Sequence, residues 1–300
     1  MQFEELVELA IIQSGASAQR PVIEKELLHF DILFCLDVAG LLDQLTFQGG
    51  TALRLCYGSN RLSEDLDFAG GRDFSAKALY EIKHCIEDYI GSRYGLPVDV
   101  KEPKSLLQEP GYRGLSVDTW RVSVVTSPAR PDLPKQRIKL EIAAVDAYSR
   151  APRPLKKNYN FLPAGYENTL VMTESMDEIV ADKLVAFVAS SKYIRYRDIW
   201  DLVWLEQQGA RVDYDLVRSK LTDYRLNDYG DLLIARIDEL PRLIGDGTFF
   251  TEMRRFIPVD VQERTLDKPK FIAHVEISLR EQLQSLRRSL YGEGGSAFQM

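Results

Sequence analysis

The sequence predicts an α+β fold, on three observations. Helical periodicity fills residues 1–42 and returns from Ser175 to near Tyr291. Between these stretches lie short segments that alternate apolar and polar residues, Gln136 to Ala143 most clearly. A Gly49-Gly50 turn links a short strand to a helix and leads to two carboxylates two residues apart, Asp65 and Asp67.

Composition sets the frame. Over 300 residues, 45% hydrophobic and 28% charged content describe a soluble globular protein of one or two domains. No apolar run approaches a membrane span, and Met1-Gln2-Phe3-Glu4-Glu5 lacks the basic start of a signal peptide. Cys35, Cys56 and Cys85 lie in largely apolar stretches without metal-ligand spacing and read as buried thiols of a reducing cytoplasm. His29, His84 and His274 do not cluster, which argues against a zinc site or a histidine-based triad. The net charge of −7 argues against a generic nucleic-acid coat. Residues 101–160 nevertheless hold 12 Lys/Arg against 6 Asp/Glu, a local +6 that leaves −13 elsewhere. Such a basic middle neutralises phosphates, or is a charged strand surface without a partner.

Taken in order, the elements have local causes. A first helix ends near Gly15, and Pro21 starts a second that carries Ile23, Leu27, Phe30, Phe34 and Leu41 to about Leu42. Leu45-Thr46-Phe47 reads as a strand, and Thr51 to Tyr57 as a short helix ended by Gly58. Ser75 is placed to cap a helix that runs to Tyr94 with a stripe of Leu79, Ile82, Ile86 and Ile90. Val98–Lys101, Thr119–Val125, Gln136–Ala143 and Thr169–Thr173 are the remaining strands, with a turn at Arg130–Pro134. Arg150–Lys157 is basic and punctuated by Pro152 and Pro154, a linker or an approach to nucleic acid. Ser175 with Glu178 forms a capping pattern. The helix after it carries Lys183 on the apolar stripe of Met176, Val180 and Phe187, with Lys192 beyond the stripe. Asp198 interrupts the face of Ile194, Leu202 and Leu205 on the next helix. A lysine on such a face is costly unless paired; a snorkelling lysine or a plain ion pair with Asp198 are the alternatives. After Gly209 come helices led by Asp213 and Asp215, by Gly230 with breaks at Pro241, Gly245 and Gly247, and by Pro269. Gly292–Ser296 starts a disordered tail.

The chemistry gathers around residues 47–68. In a strand, positions two apart share a face, so Asp65 and Asp67 project side by side. Adjacent carboxylates repel unless a cation separates them, and such oxygen ligands suit Mg²⁺ with substrate phosphates. A solvated Asp pair on an edge strand is the competing reading. The start of the helix at Gly49, Gly50 and Thr51 offers unpaired N–H groups and a positive dipole end to phosphate. On the alternating strand, Arg137, Lys139 and Glu141 share the polar face.

These motifs carry a resemblance. Gly49-Gly50 followed by Asp65-x-Asp67 resembles the first motif of the DNA polymerase beta nucleotidyltransferase superfamily. Gly49-Gly50-Thr51-Ala52-Leu53-Arg54-Leu55-x-Tyr57-Gly58 with Arg61-Leu62-Ser63-Glu64-Asp65-Leu66-Asp67-Phe68 is similar to the AbiEii/AbiGii toxin group. Fourteen residues separate Gly50 from Asp65, a longer link than many superfamily members use and one that the AbiEii-like group tolerates. Asp182-Lys183-Leu184-Val185-Ala186 and Arg195-x-Arg197-Asp198-x-x-Asp201 resemble later motifs of the same group.

The resemblance covers about residues 45–205 and implies a mixed sheet flanked by helices, with a C-terminal helical region. It implies a nucleotidyltransferase core over 1–173 and a helical domain over 174–291 that completes the active-site cleft, with 292–300 as the tail. It implies Glu141 as a third metal carboxylate beside Asp65 and Asp67, with Asp146 as the substitute should Glu141 point elsewhere. Two Mg²⁺ ions would then serve the acceptor hydroxyl and the leaving pyrophosphate of a nucleoside triphosphate (NTP). Lys139 and Lys183 would meet phosphates, Asp198 would be an essential polar residue, and Asp201 a weaker candidate. The acceptor implied is an RNA such as a tRNA end, the outcome growth arrest in a toxin–antitoxin or abortive-infection system, and the partner a winged-helix antitoxin. Transfer to a protein hydroxyl and an inactive interaction module are the alternatives. Ser63 is either a regulatory phosphorylation point or an ordinary polar residue.

Overall fold

A computed structural model of the chain describes residues 1–107, 117–190 and 193–292. Lys192 and the tail beyond Gly292 lie outside the described residues. The chain forms two compact units, Met1–Glu174 and Ser175–Met300.

The first unit opens with α1 (Phe3–Ser14) and α2 (Arg20–Val38). β1 (Thr46–Gln48) passes directly into α3 (Gly49–Ala52), which continues as one π-helical turn, Leu53–Tyr57. β2 (Leu66–Ala69), α4 (Ile82–Tyr94), β3 (Val98–Lys101), β4 (Val117–Val124), β5 (Gln136–Ala143), β6 (Ala151–Pro154) and β7 (Leu170–Thr173) follow. The strands form one sheet in the order β3-β4-β5-β2-β1-β7-β6. It is mixed: β2 runs parallel to β5 and β1 parallel to β7, while the other neighbours are antiparallel.

The alternation that predicts β4 and β5 also decides their faces. Trp120, Val122, Val124, Ile138, Leu140 and Ile142 are buried, with Leu66 and Phe68 of β2 beside them. α2 packs on β5 and α4, and α4 on β3. The opposite face is polar and carries the functional candidates.

Four local expectations change. The second helix stops at Val38, four residues before Leu42, and Gly40 turns the chain with φ +67°. Ser75 makes no side-chain cap; a 3₁₀ turn, Ala76–Leu79, intervenes and α4 starts at Ile82. The basic segment is not a linker, because its residues Ala151–Pro154 are the edge strand β6, paired antiparallel to β7. An edge strand needs ladder bonds on one side only, which lets it hold Pro152 and Pro154. Pro241 lies inside a continuous helix instead of breaking one.

The second unit is helical: α5 (Met176–Ala189), α6 (Tyr196–Gln207), α7 (Tyr214–Asp223), α8 (Tyr229–Gly245), α9 (Gly247–Arg254), α10 (Val259–Arg264) and α11 (Pro269–Tyr291). Leu233, Leu240 and Leu243 of α8 are fully buried, and α8 packs along α11. That burial sustains α8 through Pro241 at the loss of one backbone bond. Among the described residues, no helix is long and apolar enough to cross a membrane.

Ser175 caps α5 by accepting the Glu178 amide at 3.2 Å. Ser175→Ala should therefore cost about 1 kcal/mol in thermal or denaturant unfolding. Ser75→Ala, at the serine that makes no cap, should leave the midpoint unchanged.

Candidate active site

The Gly-Gly turn is built for close approach. Gly49 adopts φ +76°, and a Cβ there would lie 2.8 Å from Oδ2 of Asp67. A Cβ on Gly50 would lie 2.3 Å from Nη2 of Arg61 and 3.1 Å from Oγ of Ser63. The two glycines thus bring the backbone against Asp67 on one side and the Arg61–Ser63 segment on the other. Thr51 ties the same turn down, its hydroxyl donating to the carbonyl of Asp65. Ser63 is buried beside Gly50, so a phosphate on its hydroxyl would have to displace this packing.

Sheet pairing places the carboxylates. Asp67 stands in register with Glu141 across the parallel β2–β5 pair and with Gln48 across β1–β2. Asp65 precedes β2, and its Oδ1 accepts the backbone N–H of Lys139 at 2.9 Å. Lys139 Nζ lies 3.8 Å from Glu141 Oε1, with both side chains partly exposed. Asp65 and Glu141 both turn toward Lys139, one to its amide and the other to its Nζ. Asp146 is engaged elsewhere, 3.0 Å from Nε of Arg72.

Helix α2 supports this arrangement through side chains that sequence reasoning missed. Arg54, from the π turn, makes a bidentate pair with buried Glu26 at 2.8 and 3.0 Å. Lys25 holds Glu64 at 2.7 Å. His29 bonds the Glu64 carbonyl at 3.0 Å; a carbonyl only accepts, so Nε2 carries the proton. The residue after Glu64 is Asp65, which makes His29 and Lys25 braces of the carboxylate segment. The available signal was polar residues recurring on every side of α2, where Glu24, Glu26, His29 and Asp31 are all buried.

In the second unit, Lys183 lies between two carboxylates, 2.9 Å from Asp198 and 2.6 Å from Asp201. Its side chain is 7% exposed, and those of Asp198 and Asp201 are 4% and 0%. The structure thus has the ion pair with Asp198 that the sequence left open, extended to Asp201. Asp201, the weaker candidate, supplies the shorter contact. Burial alone would raise the Asp198 carboxyl, but Lys183 and Arg195 hold it below its ordinary value. A second buried ion group shares α5: Lys220 lies 2.7 Å from Glu178 and 3.0 Å from Asp182.

Two outcomes follow from these contacts. Burial depresses His29 from 6.5 to about 4, so the fold favours the neutral ring. A depressed group contributes stability that is full above its unfolded value and is lost as pH falls through the folded one. The His29 contribution, about 3 kcal/mol, should thus disappear between pH 6.5 and 4. Asp31 acts in the opposite sense: burial raises it to about 6, against the lowering effects of Tyr166, Arg93 and Tyr94. Urea unfolding of wild type and His29→Gln at pH 7.5 and 5 separates the two, with the smaller acid loss expected in the variant. Lys183→Ala leaves two buried carboxylates facing each other and should cost about 3–5 kcal/mol of stability, measurable in the same unfolding series.

No curated protein sequence matches the chain significantly. The solved structure of MenT4, a nucleotidyltransferase toxin from Mycobacterium tuberculosis H37Rv, matches with a TM-score of 0.54 and 18% identity, over 95% of this chain and 89% of that one. JHP933 from Helicobacter pylori matches with a TM-score of 0.45 and 21% identity, over 90% and 93% of the two chains. At these identities the likeness to MenT4 speaks for a shared fold. The family profile described as nucleotidyl transferase AbiEii toxin, type IV toxin–antitoxin system, matches residues 31–288. With the glycine turn against Asp67 and a profile match over most of its length, the chain belongs to the AbiEii family of nucleotidyltransferase toxins.

Proposed function

We propose that this enzyme transfers a nucleoside monophosphate from an NTP to an RNA acceptor, a tRNA end in particular, with Mg²⁺ at Asp65, Asp67 and Glu141. The observation that carries the proposal is the β2–β5 register, which sets Asp67 beside Glu141 and Asp65 on the backbone of Lys139. The donors fit the ion: all three are hard oxygen ligands, and Gly49 lacks the Cβ that would lie 2.8 Å from Oδ2 of Asp67. Bound there, Mg²⁺ would neutralise phosphate charge and acidify an acceptor hydroxyl.

The chain's own residues supply the rest. Gly49, Gly50 and Thr51 would receive the triphosphate on backbone N–H groups, which only a glycine-lined turn lets approach so closely. Lys139 would neutralise phosphate oxygens beside Glu141. Lys183 would hold Asp198 and Asp201 in place within the helical unit. Transfer joins the acceptor oxygen to the α-phosphorus and releases pyrophosphate. In a cytoplasm this would arrest growth, as in abortive infection, until an antitoxin of winged-helix type intervenes. Ser63 would regulate only by phosphorylation that opens the turn against Gly50.

The test is incubation of the protein with total cellular RNA, Mg²⁺ and each labelled NTP in turn. Asp65→Asn and Asp67→Asn should lower labelling at least about 100-fold. The asparagine at position 65 keeps an oxygen for the Lys139 amide, so its melting temperature should be retained. Full labelling by a folded Asp65→Asn protein would remove the metal site. Label that appears on protein instead of RNA would move the acceptor to a protein hydroxyl.

A further inference from the structure

The polar face of the sheet carries a row of cations that meets the carboxylates only at its Lys139 end. Lys101 on β3 is the register partner of Arg121 on β4, and Arg121 is the register partner of Lys139 on β5. All three side chains are exposed. Both pairings are antiparallel, so the cations stand directly opposite one another, an arrangement that destabilises a sheet. Among the described residues, Lys101 and Arg121 form no ion pair. Arg137, one step along β5, is exposed on the same face; Asp99, its counterpart on β3, is separated from it by Ser123. Glu141 accounts for Lys139; a stability argument does not account for Lys101 opposite Arg121.

Position does. The row ends at Lys139, whose amide holds Asp65, and the next strand is β2 with Asp67. From there it extends across two strand spacings, about 10 Å, toward the β3 edge. The glycine turn lies on the other side of Asp67, at the end of β1. A triphosphate held at that turn has its phosphates on the β1 side. Lys101 and Arg121 are thus left for a second polyanion that reaches the carboxylates from the β3 side, and that polyanion spans more than one phosphate.

We propose that Lys101 and Arg121 form the track for the acceptor RNA, binding successive backbone phosphates of a single-stranded end and delivering its hydroxyl past Lys139 to the carboxylates. This inference rests on the RNA-transfer reading above and names the surface that serves it.

The test uses the full chain with Lys101→Gln/Arg121→Gln; Lys139, beside the carboxylates, is left in place. Binding of a fluorescein-labelled single-stranded oligoribonucleotide is measured by anisotropy across a KCl series. Two lost phosphate contacts should flatten the log–log salt slope by about 1.4. The acceptor KM for total tRNA should rise at least about 10-fold, with the dissociation constants of the four NTPs unchanged. Relief of the like-charge row should leave the melting temperature equal or higher. An unchanged slope and KM would overturn the track, as would a parallel loss of NTP affinity, which would assign the row to the nucleotide. Intact RNA binding with lost binding of poly-glutamate would assign it to an acidic protein instead. If the wild type labels tRNA and the variant does so equally, the track fails while the transfer reading stands. If the wild type neither binds nor labels RNA, both fail.

Discussion

The parallel pairing of β2 with β5 is the constraint on which the rest of the first unit depends. Parallel neighbours cannot be joined by a tight turn, so α4, β3 and β4 lie in the crossover between them. The pairing buries Leu66, Phe68, Leu140 and Ile142 on one face, and register then obliges Asp67 and Glu141 to stand together on the other. A slip of one residue would turn every apolar side chain outward, so core burial also protects the carboxylate geometry. Asp65 extends the pairing past the end of β2, its side chain taking the Lys139 amide that no backbone carbonyl takes there.

Polar groups inside the fold do the positioning. α2 is buried on most sides and spends Glu26, His29 and Lys25 on the segment between the glycine turn and Asp65. Each bond fixes backbone near the carboxylates at the cost of desolvating a charge or a ring. Such groups are expensive to leave unpaired, which favours a single arrangement of the segment. The helical unit uses the same device in Lys183 with Asp198 and Asp201, and in Lys220 with Glu178 and Asp182.

The sheet also sorts charge in a direction. Reading from β3 to β1, its polar face passes from cations through carboxylates to a glycine turn that a side chain would block. In the proposed transfer from a nucleoside triphosphate to RNA, two polyanions would have to meet at one point without repelling each other away. The proposed binding features on the two sides of one carboxylate group would answer that need.

The sequence by itself determined the α+β class, the strands at Val98–Lys101 and Gln136–Ala143, the Ser175 cap and the motif that joins Gly49-Gly50 to Asp65 and Asp67. These depend on period, capping and turn chemistry, which act over a few residues. Tertiary structure alone decided the partners. That Glu141 stands beside Asp67, that His29 braces Glu64, and that Lys101, Arg121 and Lys139 align are facts of strand order and register between residues far apart in the chain. It likewise made an edge strand of a proline-punctuated basic segment and kept Pro241 within a helix. In both, pairing or packing with distant residues outweighs a local preference worth a few kcal/mol. It also enclosed Lys183 between two aspartates, since burial depends on what packs over a helix as well as on the helix's own periodicity.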